Sequence, residues 1–132
     1  MPLHQMHLRG EHMLSQAVRL LFSFRGRVSR FIYWAAGLTL LAVFAILFVF
    51  IEAALGRGMT LVLYPAFFWN VLALSVKRMH DRGRAPIWLL AAAIPILGPL
   101  WLIFELGLRV GTPGENQYGQ DPLEGGDYLT VA

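Results

Sequence analysis

The chain has 132 residues, of which 57% are hydrophobic and only 14% are charged, with a formal net charge of +3 and no cysteine. About a quarter of the residues in an ordinary soluble domain are charged, so this composition argues against that class and favours a protein embedded in lipid. The lack of cysteine excludes disulfides, zinc–thiolate sites and cysteine nucleophiles.

The N-terminal segment, residues 1–12, is polar and is predicted to be disordered, and the spacing of its histidines matches no closed metal site. The residues from Met13, a candidate start of the chain, read MLSQAVRLLFSF and place apolar side chains near helical spacing. They predict a short interfacial helix that turns its polar residues toward water.

Two apolar runs come next, and each is long enough to cross the hydrocarbon core as a helix, which takes about 17–25 residues. The first, residues 31–51, contains no charge. The second, residues 60–76, contains Pro65, so neighbouring helices must satisfy the carbonyl that this proline leaves unpaired. The short, glycine-rich connection between the two runs predicts an antiparallel hairpin.

A third apolar run, residues 86–108, is interrupted in its middle by the sequence PILGP. A single kinked span is the simplest interpretation. The alternative is a re-entrant hairpin whose halves have about ten residues each, which is short for a full crossing. The predicted fold is therefore an all-α membrane protein with three transmembrane helices. It forms one polytopic domain over residues 13–122, followed by a disordered tail, residues 123–132.

The distribution of positive charge predicts the orientation of these spans. Residues 1–30 carry five arginines and the basic loop, residues 77–84, carries four cations, whereas the loop between the first two spans carries only Arg57. Cytoplasmic loops are enriched in lysine and arginine, so the N-terminus and the basic loop are predicted to be cytoplasmic. A single third crossing would then place the C-terminal tail outside. Because the cations flank the spans, no nucleic-acid partner is expected.

Two charged stretches meet at the predicted cytoplasmic ends of the first two spans: FRGRVSRFIYW, residues 24–34, and VKRMHDRGR, residues 76–84. Several arginines that converge near the headgroup plane can bind lipid phosphate. The candidate anion- or lipid-binding residues are Arg25, Arg27, Arg30, Arg78, His80, Asp81 and Arg82. The competing interpretation is that the cations set the topology and form internal salt bridges, although topology requires neither His80 nor Asp81.

The sequence contains no catalytic motif of the HExxH, GxSxG, P-loop or GxGxxG type. We therefore expect a non-enzymatic protein without cofactor or metal, which binds anionic membrane lipids or a membrane-protein partner, including a second copy of itself. The alternative is a subunit of an oligomeric transporter or channel for small solutes or ions, with Glu52, Asn70 and Glu105 along its path. A membrane enzyme acting on lipid headgroups, with His80 and Asp81 as acid and base, ranks last.

Four stretches occur in the order seen in one family: FRGRVSRFIYW, VKRMHDRGRAPIW, IPILGPLW and GTPGENQYGQDP. Over roughly residues 20–122 the chain resembles domain-of-unknown-function family 805, the YhaH-like small bacterial inner-membrane proteins. The resemblance implies a multi-pass protein of the bacterial inner membrane and implies no biochemical activity. It also assigns to a tail motif the residues Asn116, Tyr118, Gly119, Asp121 and Pro122.

The chain departs from the family pattern after the basic loop, where Ser-Gly-Trp is usual and Ala-Pro-Ile precedes Trp88 here. This departure argues against a role for a hydroxyl group in that loop. Re-entry of the third run would bring the tail motif to the basic loop. The carboxylates of the tail could then pair with Arg27, Arg78 or Arg82.

Overall fold

A computed structural model of the chain describes residues 2–124. Within this range the protein is all-helical, which confirms the predicted class, and its strand pairing is limited to one isolated bridge. The helices are α1 (Leu3–Phe22), α2 (Arg30–Leu55), α3 (Leu63–Asp81) and α4 (Leu97–Leu102). The 3₁₀ segments Arg57–Val62 and Pro86–Ala93 precede α3 and α4, and the π-helical turn Ile103–Leu108 continues α4.

Helix α1 stands where disorder was predicted for residues 1–12: it starts at Leu3 and runs on through the residues predicted to form an interfacial helix. Most of its apolar side chains are exposed. Its C-terminal end packs on the rest of the chain, where Leu20 contacts the hydrophobic core. The disorder predicted for residues 123–132 concerns mainly residues 125–132, which lie outside the described part of the chain.

Helix α2 contains the first predicted run, and the 3₁₀ segment Arg57–Val62 with α3 contains the second. Helix α2 is long and apolar enough to cross a membrane, and so is α3 together with the 3₁₀ segment before it. The helices are antiparallel: Phe44 in the middle of α2 packs on Phe67 near the start of α3, with ring centroids 4.5 Å apart. Ile32 at the start of α2 packs with Leu74 toward the end of α3.

Local sequence explains where α2 and α3 begin and end. Ser29 caps α2, because its hydroxyl accepts a hydrogen bond from the amide of Ile32 at 3.3 Å. Gly56 ends α2 with a φ of 88°, which glycine adopts readily and other residues rarely do. Pro65 lies in the first turn of α3, where a missing N–H is tolerated, and not in mid-helix as the predicted boundaries implied.

The third run is not one helix, and a single kinked crossing is not confirmed. The 3₁₀ segment leads away from the basic loop, the chain turns after Ile94, and α4 with its π-helical turn leads back. The two arms lie so close that a Cβ on Gly98 would sit 1.7 Å from the carbonyl oxygen of Ala91. Arg84 before the run bonds to Glu105 near its end at 2.8 Å, so the run folds back on itself as the re-entrant alternative requires, and we call it the re-entrant hairpin.

The buried interior lies where the charged stretches meet, not along the apolar helices. Residues 27–29, 76–81 and 105–107 are all buried. By contrast Ile32 is the one buried residue of α2, the whole of which is described. An apolar helix this exposed requires a cover, and lipid supplies it in a membrane protein. The charged end is therefore the part of the molecule whose structure is fixed by its own contacts.

Candidate functional site

A buried carboxylate between two buried arginines forms the centre of the site. Asp81 accepts a hydrogen bond from Nε of Arg27 at 3.1 Å and another from the guanidinium of Arg78. Both arginines are fully buried, and Asp81 is 3% exposed. The arginines compensate the carboxylate, which offsets much of the free-energy cost of burying an ion. We call this arrangement the Arg27–Asp81–Arg78 cluster.

Arg27 joins the cluster to the C-terminal tail. Its Nη1 donates to the carbonyl oxygens of Gly114 at 2.7 Å and Gly119 at 3.2 Å, and its Nη2 donates to that of Thr112 at 2.6 Å. Because Nε is bonded to Asp81, every nitrogen of this guanidinium has an acceptor within the protein. A planar guanidinium with five N–H groups suits several converging carbonyls, whereas a lysine offers three donors from one point.

Arg78 joins the cluster to the end of the re-entrant hairpin. It donates from Nε to the carbonyl oxygen of Leu106 at 2.7 Å, from Nη2 to that of Arg109 at 2.6 Å and from Nη1 to that of Val28 at 3.3 Å. Leu106 and Arg109 lie at the end of the hairpin, and the last carbonyls of a helix have no hydrogen-bond partner within that helix. Arg78 therefore supplies donors for a helix end as well as charge for Asp81.

Two further cations donate to helix ends. Nζ of the buried Lys77 donates to the carbonyl oxygens of Arg19, at 2.7 Å, and Leu20 at the end of α1. Nη1 of Arg30 donates to the carbonyl oxygen of Leu108 at 2.9 Å. A cation near a helix C-terminus is also favoured by the helix dipole. Charges that the sequence assigned to membrane topology thus also close helix ends.

The tail motif lies against the end of α3. The amide N–H of Thr112 donates to the carbonyl oxygen of Asp81 at 2.7 Å, and Nδ2 of Asn116 donates to that of His80 at 2.9 Å. The rings of His80 and Tyr118 stack, with centroids 4.0 Å apart and planes inclined by 9°. These contacts place the tail beside the basic loop, which corrects the position expected from a single third crossing.

Hydrogen bonds within the tail hold its shape. A carboxylate oxygen of Asp121 accepts from the amide of Gly114 at 2.9 Å, and Oδ1 of Asn116 accepts from the amide of Tyr118 at 2.8 Å. Gly119, with a φ of 134°, exchanges two backbone hydrogen bonds with Asn116. Asp121 therefore orders the turn and does not form the salt bridge with Arg27, Arg78 or Arg82 that re-entry had suggested.

Gly111 is required by the close approach of the tail to the cluster. A Cβ at this position would lie 2.0 Å from Oδ2 of Asp81 and 2.6 Å from its carboxyl carbon. The carboxylate is held by two arginines and has no room to move away. The first residues of the tail therefore pass over Asp81 only because position 111 has no side chain.

A second buried acid, Glu105, lies beside the cluster and is 1% exposed. Arg82 and Arg84 donate to its Oε1 at 2.9 and 2.8 Å, and Arg109 donates to its Oε2 at 3.2 Å. Burial alone would raise the pKa of this carboxyl, but the charges of Arg82 and Arg84 hold the pKa below its ordinary value. A single third crossing would have put Glu105 at the far end of the span from the basic loop. The re-entrant path buries it beside the basic loop instead.

The structure brings the seven candidate anion-binding residues to one end of the helices and buries most of them. The buried members are Arg27, Arg78, His80 and Asp81. The side chain of Arg82 is 12% exposed and is engaged by Glu105. Arg25 and Arg30 are exposed, so they are the members that can meet an external anion. Among the buried members, Arg27, Arg78 and Asp81 form internal salt bridges, as the competing interpretation expected.

Sequence reasoning missed several residues that complete the site. Lys77 was assigned to topology alone, and neither Gly111 nor Thr112 was singled out, because nothing in their local sequence shows that the tail passes over Asp81. A signal did exist for Glu105, an acid within an apolar run. The tail motif was found through the resemblance, and its last member, Pro122, is buried.

The residues that the transporter alternative places along one path lie apart. Glu52 pairs with Arg57 at 3.2 Å, at the end of α2 opposite to Glu105. Nδ2 of Asn70 donates to the carbonyl oxygen of Ala66 at 2.9 Å, and its Oδ1 has no hydrogen-bond partner among the described residues. In the same part of the chain, no group of three histidine, aspartate or glutamate side chains could hold a metal ion.

Comparison with known proteins gives the same family as the four sequence motifs. The family profile described as "Protein of unknown function (DUF805)" matches residues 21–120. Three proteins of Escherichia coli K12 are similar to the chain.

The uncharacterized protein YiiR is 34% identical over 131 residues, which cover 76% of this chain and 86% of YiiR. The inner membrane protein YhaI is 37% identical over 106 residues, covering 77% and 87%. The inner membrane protein YhaH is 33% identical over 111 residues, covering 75% and 86%. No solved structure matches the chain.

Proposed function

The chain belongs to the DUF805 family, and we propose that it is a non-enzymatic, multi-pass protein of the bacterial inner membrane whose cytoplasmic surface binds anionic lipid headgroups. The observation that carries this proposal is a contrast between two sets of arginines at one end of the helices. The buried set is occupied by carboxylates and backbone carbonyls, whereas Arg25, which precedes α2, and Arg30, its first residue, are exposed.

The proposed topology follows from the charges along the re-entrant path. Every lysine and arginine except Arg57 either lies at or before the start of α2 or belongs to the basic loop and the end of the hairpin. Arg57 lies in the connection at the opposite end of α2. The enrichment of cations in cytoplasmic segments then supports a cytoplasmic N-terminus and a cytoplasmic tail. In this topology α2 and α3 cross the membrane, and the hairpin enters it from the cytoplasm.

Two exposed cations supply the proposed contact with lipid. Arg25 makes a hydrogen bond through its backbone N–H to Oγ of Ser23 at 3.2 Å, and its guanidinium has no ion pair among the described residues. Arg30 uses Nη1 for the carbonyl oxygen of Leu108 and is otherwise exposed. The anionic lipids of the cytoplasmic leaflet attract such cations, and a guanidinium can bind a phosphate through two parallel hydrogen bonds.

The side chains of His80 and Asp81 are engaged by other residues of the protein, which supports a non-enzymatic function. The ring of His80 is covered by Tyr118, and its Nδ1 lies 2.9 Å from the carbonyl oxygen of Gly26. Asp81 is enclosed between the two arginines of the cluster. A general acid or base must come within hydrogen-bond distance of the reacting group, and the folded tail leaves neither side chain open to a substrate.

Analysis of the lipids that accompany the protein in native nanodiscs tests this proposal. The wild-type chain should enrich phosphatidylglycerol over phosphatidylethanolamine relative to the bulk membrane. The double variant Arg25→Gln, Arg30→Gln should lose this enrichment. Arg57→Gln removes one cation at the opposite end of α2, so it is the matched control and should keep the enrichment. Equal phosphatidylglycerol in the wild type and the double variant would overturn the proposal.

The same particles test the alternative function. A subunit of an oligomeric transporter or channel would give particles that contain several copies of the chain, because the helices of one chain cannot enclose a path for a solute. Native mass spectrometry of the particles measures that number. A single copy in each particle would contradict the transporter alternative and a homo-oligomeric partner.

A further inference from the structure

An apolar groove of about 360 Å³ lies between α2, α3 and the π-helical turn. We call it the lateral groove. Its α2 wall includes Trp34, Gly37, Leu38 and Leu41. Of these, Trp34 is 41% exposed and Leu38 is 58% exposed, so the groove is open at the protein surface. Apolar pockets of roughly 300–1,000 Å³ are typical of sites that bind small molecules.

Arg30 lies beyond one end of the lateral groove, on the same face of α2. Arg30, Trp34, Leu38 and Leu41 follow one another at intervals of four, four and three residues, so their side chains share one side of the helix. The indole N–H of Trp34 donates to the carbonyl oxygen of Gly107 at 2.8 Å, and Arg30 donates to that of the next residue at 2.9 Å. These two bonds fix a cation one helical turn from the end of the groove.

We propose that the lateral groove binds one acyl chain of an anionic phospholipid whose phosphate pairs with Arg30. This inference rests on the proposed function, which places Arg30 at the cytoplasmic leaflet. Tryptophan rings concentrate at the level of the headgroups, so Trp34 marks the depth at which headgroup gives way to acyl chain. The guanidinium of Arg30 uses one nitrogen for the hairpin end, and its other two are without acceptors among the described residues.

The position of charge favours a lipid over a second copy of the chain as the occupant. The cations are concentrated at one end of the helices, which gives every copy the same orientation, so a neighbouring copy would bring its own arginine-rich end to the level of Arg30. Like charges at close range repel. A phospholipid instead supplies an anion at that level and an apolar chain below it, which matches the order of side chains along α2.

Gly37 allows a direct test because it forms part of the groove wall. A Cβ at this position would meet Cδ2 of Leu74 at 3.9 Å, which is an ordinary van der Waals contact. The variant Gly37→Leu therefore fills part of the groove without a clash against the backbone. Ala45→Leu adds a similar volume to the exposed surface of α2 outside the groove and is the matched control.

Native mass spectrometry of the full chain, released from nanodiscs of phosphatidylglycerol and phosphatidylethanolamine, measures the fraction that keeps one bound lipid. The wild type and Ala45→Leu should keep one phosphatidylglycerol to the same collision energy. Gly37→Leu should keep it roughly fivefold less, equivalent to about 1 kcal/mol. Arg30→Gln should reduce the retained phosphatidylglycerol to the level of phosphatidylethanolamine, and Arg57→Gln should leave it unchanged.

Equal retention by Gly37→Leu and Ala45→Leu would overturn this inference. If phosphatidylglycerol enrichment then still depended on Arg25 and Arg30, the proposed function would stand without it. A wild-type particle of two copies that Gly37→Leu separates would identify a second copy as the occupant, which also overturns the inference.

A second measurement needs no variant and so does not depend on the folding of Gly37→Leu. Phosphatidylglycerol that carries a photoreactive group in its acyl chain should crosslink to residues of the lateral groove, such as Val71 and Ile103. Crosslinks spread evenly over the exposed length of α2 would contradict the inference. Circular dichroism of the two leucine variants in one detergent shows whether both retain the helical content of the wild type.

Discussion

Tyr118 in the tail stacks on His80 at the end of α3, with ring centroids 4.0 Å apart and ring planes nearly parallel. This pair connects a segment after the re-entrant hairpin to a helix before it. Beside the rings, Asn116 donates to the carbonyl oxygen of His80, so the tail covers both the ring and the backbone of the same residue. The contact therefore reports directly on whether the tail is in place.

Removal of the Tyr118 ring should loosen the tail. Stacked aromatic pairs contribute about 0.5–1.5 kcal/mol beyond the area that they bury. Tyr118→Ala should therefore speed hydrogen–deuterium exchange in the tail by up to about tenfold, while exchange in α2 stays unchanged. Tyr118→Phe keeps the ring and is the control, so its exchange should match the wild type. Identical exchange in the alanine variant would show that the stack does not hold the tail.

Neutralising Asp81 should destabilise the whole charged end. Asp81→Asn leaves Arg27 and Arg78 buried without a counter-charge, and removing one partner of a buried ion pair costs about 3–5 kcal/mol. Unfolding of the detergent-solubilised protein, followed by circular dichroism, should show a correspondingly lower midpoint. Glu115→Gln removes an exposed carboxylate of the tail and should leave the midpoint unchanged. A shift of the same size in both variants would contradict the role assigned to Asp81.

Glu105 should make stability depend on pH in the acid range. Burial opposes its ionisation, yet the charges of Arg82 and Arg84 hold the pKa of Glu105 in the folded protein below the ordinary value of 4.5. The folded state therefore gains stability from this carboxylate above its unfolded pKa and loses it as the pH falls through the lowered folded pKa. The unfolding midpoint of the wild type should fall more steeply from neutral to acid pH than that of Glu105→Gln. Equal slopes would contradict this prediction.

Cysteine labelling should place the tail and the α2–α3 connection on opposite sides of the membrane. The chain has no native cysteine, so single cysteines at Glu115 and Gly58 can be compared without background. Gly58 is exposed, and an added Cβ there meets no atom within 4 Å. In intact cells stripped of their outer membrane, an impermeant maleimide should label Gly58→Cys and should label Glu115→Cys only after lysis. Labelling of both before lysis would exclude the proposed topology.

The length of the apolar runs and their lack of charge predicted the two long helices, because an uncharged apolar stretch of that length is typical of a membrane-spanning helix. They failed for the third run, since a single kinked span and a hairpin share the same composition. The bond between Arg84 and Glu105 distinguishes the two, and it is a tertiary contact that no local pattern contains. At the N-terminus the polar residues 1–12 predict disorder, whereas the structure has a helix over residues 3–22, because polar composition alone does not prevent helix formation.

The sequence predicted which charged residues lie together at one end of the helices, but it did not predict how they are buried and hydrogen-bonded. Sequence placed Arg27, Arg78 and Asp81 at one level, because all three flank the apolar runs. It did not predict their burial, since the acceptors of the guanidiniums are backbone carbonyls of a distant segment, and every residue type carries such a carbonyl. The carbonyls of Thr112 and Gly114 could be identified as partners only once the path of the hairpin was known.

The re-entrant hairpin also sets an order of events during synthesis. Arg27, Arg78 and Asp81 are synthesised before most of the carbonyls that satisfy the arginines, because these carbonyls belong largely to residues 106–119. Until the last segment emerges, the nascent chain holds two transmembrane candidates with an open, hydrated charged end. Synthesis of residues 106–119 therefore completes the charged end, and termination before these residues would leave the buried arginines without their acceptors.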